Sequence, residues 1–257
     1  MKDYIIGIDL GGTFTKIGIL KRTGKIIASN LNIPTRVEIG PDKAVEVICS
    51  NIKDLMAKEN IDFSDVLGVG VGSPGPLDIK QGKLLKLPNF PGWDNYALKD
   101  GLANNLKLDV CVDNDANAAA LGEYWMGSER GTKNLICLTL GTGVGGGVIL
   151  NGEILHGADG TAGELGHITI VTQNGRKCNC GNEGCLEAYA GTSAILERAK
   201  EKLVSYKNSK LHKIISENIS LTPKIIYDNA IDGDELCRDL LEETGRYLGI
   251  AIANYIN

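Results

Sequence analysis

No run of apolar residues in this 257-residue chain reaches the length of a membrane span. No cluster of lysine or arginine offers nucleic acid a basic patch, and a formal net charge of −5 weighs the same way. The first residues lead straight into an apolar segment, with neither an extended leader core nor a small-residue cleavage site. These absences point to a cytoplasmic globular protein with no nucleic-acid and no membrane partner. Histidine is scarce too, at three residues, so the neighbours of each one matter.

What is present is ordinary in bulk: 43% hydrophobic and 23% charged residues, in a length that suits one large domain or two ordinary ones. Glycine is abundant, 33 residues, and gathers in short turn-like clusters. The seven cysteines are an odd number. Cys49, Cys111, Cys137 and Cys237 stand singly in apolar contexts and are expected to be buried. The other three cluster, which in a reducing compartment means metal more often than disulfide.

That cluster lies between Glu164 and Glu187. Cys178, Cys180 and Cys185 are spaced C-x-C-x4-C, with His167 upstream. Three thiolates and one imidazole make the ligand set of a structural zinc site. The two flanking carboxylates would sit at its edges, placed for some polar ligand. His156 and His212 have no such company and are expected to be plain loop or surface histidines.

Residues 4–20 read as two strands joined at Gly11-Gly12, with a third strand over 25–33 and a helix over 41–60. A buried strand over 66–71 ends in the loop GSPGP; residues 82–94 read as loop, 96–106 as helix and 110–112 as strand. A short helix over 116–124 precedes a segment, 125–131, read as core and turn. Residues 135–150 then repeat strand, Gly-Thr turn, strand, echoing residues 4–20. The repeat suggests two α/β domains, 1–113 and 114–257. Helices follow over 192–207 and 209–217. A last helix from Asp234 would use Leu236, Leu240, Leu241, Leu248, Ile252 and Tyr255 as its apolar face. It meets the chain end at Asn257 without a terminator, which reads as a truncated C-terminus.

Three segments carry chemistry. In DLGGT, glycines let backbone N–H groups approach an anion, and Asp9 can hold a magnesium ion through water. The run Gly141–Gly147 contains a G-x-G-x-x-G match, but strand and turn follow it rather than helix, so it is a second phosphate hairpin and not a dinucleotide fingerprint. Asp113, Asn114 and Asp115 fall at a strand-to-helix junction. At least one of them should serve as N-cap, and a carboxylate there could also accept a hydroxyl proton during phosphoryl transfer.

With IGIDLGGTFTKIGIL, GVGSPGPLD, VDNDANAAALGE, LGTGVGGGVILNGEILHG, GELGH and CNCGNEGCLE in place, the chain resembles the ROK family of sugar kinases along essentially its whole length. Within that family it is most similar to bacterial-type glucokinases. The resemblance implies an α/β fold of the actin-like ATPase (ribonuclease H-like) type, two domains with ATP and sugar in the cleft between them. It implies ATP and Mg2+, a structural Zn2+, a hexose substrate, and a homo-oligomer, dimer or tetramer. Asp115 would be the general base on the sugar 6-hydroxyl, with Gly75, Asn114, Glu164, His167 and Glu187 around the other hydroxyls. Asp9, Gly11, Gly12, Thr13 and Lys16 would meet phosphates and magnesium from one side, and Gly141, Thr142, Gly143, Gly145 and Gly146 from the other. His167, Cys178, Cys180 and Cys185 would hold zinc. The family normally continues with a strand and a glycine-rich turn that helps hold adenosine, and this sequence stops before them. Glucose is the expected substrate, with N-acetylmannosamine, N-acetylglucosamine and fructose as alternatives. A sugar-sensing repressor and a catalytically silent sugar binder are the other classes; the first would need a helix-turn-helix ahead of Tyr4.

Overall fold

The computed structural model describes residues 2–87, 89–127 and 131–257. Pro88 of the expected 82–94 loop, and Ser128, Glu129 and Arg130 of the expected 125–131 turn, lie outside them. Strands β1 (Tyr4–Leu10) and β2 (Phe14–Lys21) pair antiparallel in unbroken register, from Tyr4↔Lys21 to Leu10↔Thr15. Their alternation buries Ile6, Ile8 and Leu10 from one strand and Thr15, Ile17 and Ile19 from the other. Strand β3 (Ile26–Pro34) extends the meander along β2.

Helix α1 (Pro41–Lys58) starts with proline at its first position, where no N–H is missed, and turns Ala44, Val45, Ile48, Cys49, Ile52, Leu55 and Met56 inward at three- and four-residue steps. It carries the chain back to β4 (Val66–Ser73), which runs parallel to β1. The short pair β5 (Leu77–Asp78) and β6 (Lys83–Leu84), helix α2 (Leu98–Leu106) and strand β7 (Val110–Asn114) follow. β7 is parallel to β4, giving the strand order β3-β2-β1-β4-β7. Apart from β6, the 82–94 segment is loop in form but core in substance. Leu84, Leu87, Phe90 and Trp93 are all buried, Phe90 packs edge-on to Trp93, and the Trp93 indole donates to the Val37 carbonyl.

Helix α3 (Asp115–Met126) leads to β8 (Leu135–Leu140), β9 (Val144–Leu150) and β10 (Glu153–Ile154), ordered β10-β9-β8. Then come α4 (Glu187–Ala190), α5 (Thr192–Leu203), α6 (Leu211–Ser216), α7 (Pro223–Ile231) and α8 (Glu235–Ile256). The patterns missed β5, β6, β10, α4 and α7, since two to nine residues hold too little periodicity. For α7 a signal existed: Thr222 precedes Pro223 and its hydroxyl caps the Ile225 N–H.

Three expectations are corrected. Cys111 is exposed and Cys137 only half-buried. Cys111 sits between buried Val110 and Val112 on β7, so the strand alternation turns it to the other face. Trp125 is 40% exposed rather than core. On α8 the buried row is Leu236, Cys237, Leu240, Thr244 and Ala251, and Ile252, one step off that row, is 45% exposed.

Two compact units emerge, Met1–Cys137 with Gly147–Gly163, and Leu138–Gly146 with Glu164–Asn257. This division follows packing, whereas the 113/114 boundary followed the sequence repeat. Helix α3 belongs to the first unit because it lies on β4 and β7, where a Cβ on Gly72 would come within 3.1 Å of Ala118.

Among the described residues of the second unit two charged side chains are buried, Arg198 and Asp234. Arg198 is 4% exposed and donates to the Tyr189 and Leu240 carbonyls, the Thr244 hydroxyl and Glu243, which also pairs with Lys202. Removing one member of such a set strands the others, at about 3–5 kcal/mol. Lys224 and Asp228 form an exposed pair one helical turn apart on α7, which should contribute only about 0.3–0.5 kcal/mol. Arg198→Ala is therefore expected to lower the urea midpoint strongly, by about 3 kcal/mol in stability because Glu243 keeps Lys202, while Lys224→Ala barely moves it.

Candidate active site and metal centre

The first glycine turn is held by a residue the sequence reading missed. Thr35, buried, donates its hydroxyl to the Gly11 carbonyl at 2.6 Å and receives the Thr15 hydroxyl at 2.9 Å. Its own backbone N–H reaches the Thr13 carbonyl at 3.0 Å. The Gly11 N–H closes the turn onto the Phe14 carbonyl, and a Cβ on Gly11 would lie 2.6 Å from that oxygen, so the position admits glycine alone. Gly12 and Thr13 are exposed at the tip. Asp9 and Lys16 face each other across β1 and β2 and form a 2.8 Å ion pair, both about half exposed. The pairing raises the Lys16 pKa, and an exposed pair of this kind opens easily to take other partners.

At the β7–α3 junction three successive residues divide the work. Asp113 accepts the Asn114 N–H and the Asn117 amide on one oxygen, and meets His156 Nε2 at 2.7 Å on the other. His156 therefore does have company, and the expectation of a plain loop histidine fails. Nothing in the local sequence joins positions 113 and 156; the fold does. Asn114 caps α3, its Oδ1 accepting from the Ala116 and Asn117 N–H groups. That leaves its amide nitrogen as a donor, and this nitrogen would be 3.7 Å from a Cβ on Gly75. Gly75 and Asn114 are thus brought together, as expected.

Asp115 commits one oxygen to the Ala116 N–H at 2.8 Å. The surrounding protein desolvates its carboxyl although the residue still reaches solvent, and the Asp9 charge adds to the effect, so its pKa is raised. A carboxylate made more basic in this way is suited to accept a proton.

In the second unit the tight turn is Gly141–Gly143, closed by the Gly141 N–H on the Gly143 carbonyl at 3.0 Å. Gly141 and Thr142 are exposed. Gly145 and Gly146 already belong to β9. Gly146 is buried, and a Cβ there would overlap the Leu165 side chain, which accounts for that glycine by packing. Glu187, the first residue of α4, accepts the Val144 N–H at 3.0 Å, just past the turn. Glu164 is exposed and lies 3.8 Å from His167 Nε2.

The other ring nitrogen, His167 Nδ1, points at Cys178 Sγ, 3.6 Å away, and Cys180 and Cys185 bring their sulfurs to 3.7 Å. One ligand atom from each of the four lies within 4.8 Å of all the others. A tetrahedral zinc with bonds of about 2.1–2.3 Å needs its ligand atoms about 3.4–3.8 Å apart, so these residues fit that ion. The backbone prepares the site. Lys177 and Glu183 bridge, the Cys178 N–H reaches the Asn182 carbonyl, and Gly184, at φ 78°, passes so close to the Val171 carbonyl that a Cβ would lie 1.9 Å from it. Arg176 clips the loop to α5 through Glu201 and Glu197, a support that no spacing announced.

Each unit carries an exposed glycine turn; the first adds a carboxylate of raised pKa at a helix N-terminus, and the second a Cys3His cluster that could hold a metal ion, beside two more carboxylates. The chain belongs to the ROK family, whose profile it matches over residues 5–257. It is 40% identical to a glucokinase of Halalkalibacterium halodurans over 99% of this chain and 76% of that protein. It is 37% identical to a xylose repressor of Caldicellulosiruptor bescii over 98% of this chain and 62% of that protein. A ROK family glucokinase from Streptomyces griseus, solved with glucose and AMPPNP, is 34% identical, superposes with a TM-score of 0.77, and is covered to 78% by 98% of this chain. The fold is accordingly the α/β actin-like ATPase type.

Metal analysis should find about one zinc per chain, and Cys185→Ser should abolish it while Cys111→Ser leaves it intact. Asp115 carries a second expectation. Its folded pKa lies above its unfolded value, so its stabilising contribution is full at low pH and is lost as pH rises through the folded pKa. At neutral pH the ionised group is a cost. Asp115→Asn should therefore raise the melting temperature at pH 7 and lose that advantage in acid; an unchanged or lower value at pH 7 would contradict the desolvated carboxylate.

Proposed function

We infer that this chain is an ATP-dependent hexose kinase that converts glucose to glucose 6-phosphate. The observation that carries the reading is Asp115, a carboxylate at the start of α3 made more basic by desolvation and by the Asp9 charge, with one oxygen on the Ala116 N–H. The family and the glucokinase relatives supply the substrate class.

In this reading the sugar 6-hydroxyl oxygen attacks the γ-phosphorus of ATP, its proton passes to Asp115, and ADP leaves with the electrons of the broken P–O bond. Asn114 donates from its amide nitrogen, since the cap consumes its oxygen, and Gly75 beside it leaves room for a ring. Glu164, His167 through Nε2, and Glu187 grip further hydroxyls. Asp9, Gly11, Gly12, Thr13 and Lys16 serve the phosphates and Mg2+ from the first unit, Lys16 exchanging its carboxylate partner for phosphate. Gly141, Thr142, Gly143 and Gly145 serve them from the second. His167, Cys178, Cys180 and Cys185 would hold zinc, which supplies a rigid scaffold and no chemical step. We place the protein in the cytoplasm as a dimer or tetramer.

The likeness to a xylose repressor favours one second reading, sugar sensing without phosphoryl transfer. ATP consumption measured against glucose, N-acetylmannosamine, N-acetylglucosamine and fructose separates the two. Turnover highest with glucose is expected; sugar binding without ATP consumption for any hexose would leave the sensor. Asp115→Ala should bind glucose with little change and lose about 10²–10⁴ in kcat. The acid limb of the wild-type kcat profile should sit above the ordinary aspartate range, because the base must be ionised to work.

A further inference from the structure

The Glu187 carboxylate is placed where it touches more than one part of the second unit. Its Oε2 accepts the Val144 N–H at 3.0 Å, and Val144 is the first residue after the Gly141–Gly143 turn. The same oxygen occupies the space a side chain at Gly143 would need, 2.0 Å from where its Cβ would lie. Its Oε1 is on the side of the metal cluster, 3.8 Å from Cys178 Sγ. The backbone just beyond α4 adds to the same attachment. The Thr192 N–H donates to the Gly141 carbonyl at 3.0 Å, the Ser193 N–H to the Thr142 carbonyl at 3.4 Å, and Gly191 would place a Cβ 3.2 Å from Gly143 Cα. The turn is thus strapped to the chain that leaves the metal loop, and the one side chain among these bonds is Glu187.

We propose that Glu187 is a positioning residue for the nucleotide turn, holding Gly141–Gly143 in the form that receives the ATP phosphates, in addition to any contact it makes with sugar. The proposal rests on the kinase reading for the identity of the turn's ligand. The physical reason is preorganisation. A glycine turn has many backbone states, and amides that must be ordered on binding lose affinity that pre-aligned amides keep. A side-chain acceptor on the N–H next to the turn restrains that backbone directly, and the bond itself rather than its charge carries the restraint. Glutamine still offers an oxygen to the Val144 N–H, whereas alanine offers none.

The experiment has two arms, both without sugar. Hydrogen–deuterium exchange at the Val144 amide should be fast in Glu187→Ala and near wild type in Glu187→Gln. Calorimetry with AMPPNP should show affinity about tenfold weaker in Glu187→Ala and within about twofold of wild type in Glu187→Gln. Gly143→Ala, which pushes the carboxylate away while leaving it in the chain, should reproduce the alanine result and stands in if Glu187→Ala fails to fold. Unchanged exchange in Glu187→Ala overturns the anchor whatever the protein's activity. Faster exchange with unchanged AMPPNP affinity overturns the positioning role. Absence of AMPPNP binding in the wild type overturns the kinase reading, and the nucleotide half of this proposal with it, while exchange still reports on the anchor.

Discussion

A helix that begins where a parallel strand ends has N–H groups with no partner inside the helix, and this protein places the Asp115 carboxylate among the groups that satisfy them. Asn114 supplies the cap, Asp113 accepts from Asn114 and Asn117, and Asp115 accepts the Ala116 N–H. The Asn114 side chain also hydrogen-bonds the Asp115 carboxylate, which offsets part of the effect of its desolvation. The surrounding protein partly desolvates Asp115, which still reaches solvent, and with the Asp9 charge raises its pKa. Capping and basicity are two results of one junction, and His156 steadies it from a distant part of the chain through Asp113.

The glycine turns obey a related constraint. Each must bring backbone close to something that a side chain would block, the Phe14 carbonyl at Gly11 and the Glu187 carboxylate at Gly143. Each is then steadied from outside, by Thr35 in one unit and by Glu187 with the start of α5 in the other. Glycine provides the approach, and the restraint comes from elsewhere in the fold. The metal loop follows the same logic with different means. Turn hydrogen bonds and the Arg176 clasp hold it, and they bring together four side chains that could bind a metal ion.

Much of this was legible in the chain before any coordinates. Strand alternation in 4–20, the three- and four-step row of α1, and the Cys-x-Cys-x4-Cys spacing with His167 are local signals, because steric period and ligand count are written in consecutive residues. Less was legible where burial depends on a neighbour. The 82–94 loop has no period, yet Phe90 and Trp93 complete the first unit's core. Cys111, Trp125 and Ile252 are apolar in sequence and exposed in space, since a residue's type does not say which face its element turns inward.

The sequence by itself determined the longer elements, the two turns, the Cys3His grouping and, through its motifs, the family. Those rest on interactions within a few residues of one another, or on types of side chain that have few other uses. Tertiary structure alone decided that Asp113 meets His156, that Thr35 holds the first turn, that α3 packs with the first unit, and that Glu187 reaches the backbone beside the second turn. Each of these pairs residues tens of positions apart, and a hydrogen bond between such residues exists only after the chain has been brought back on itself.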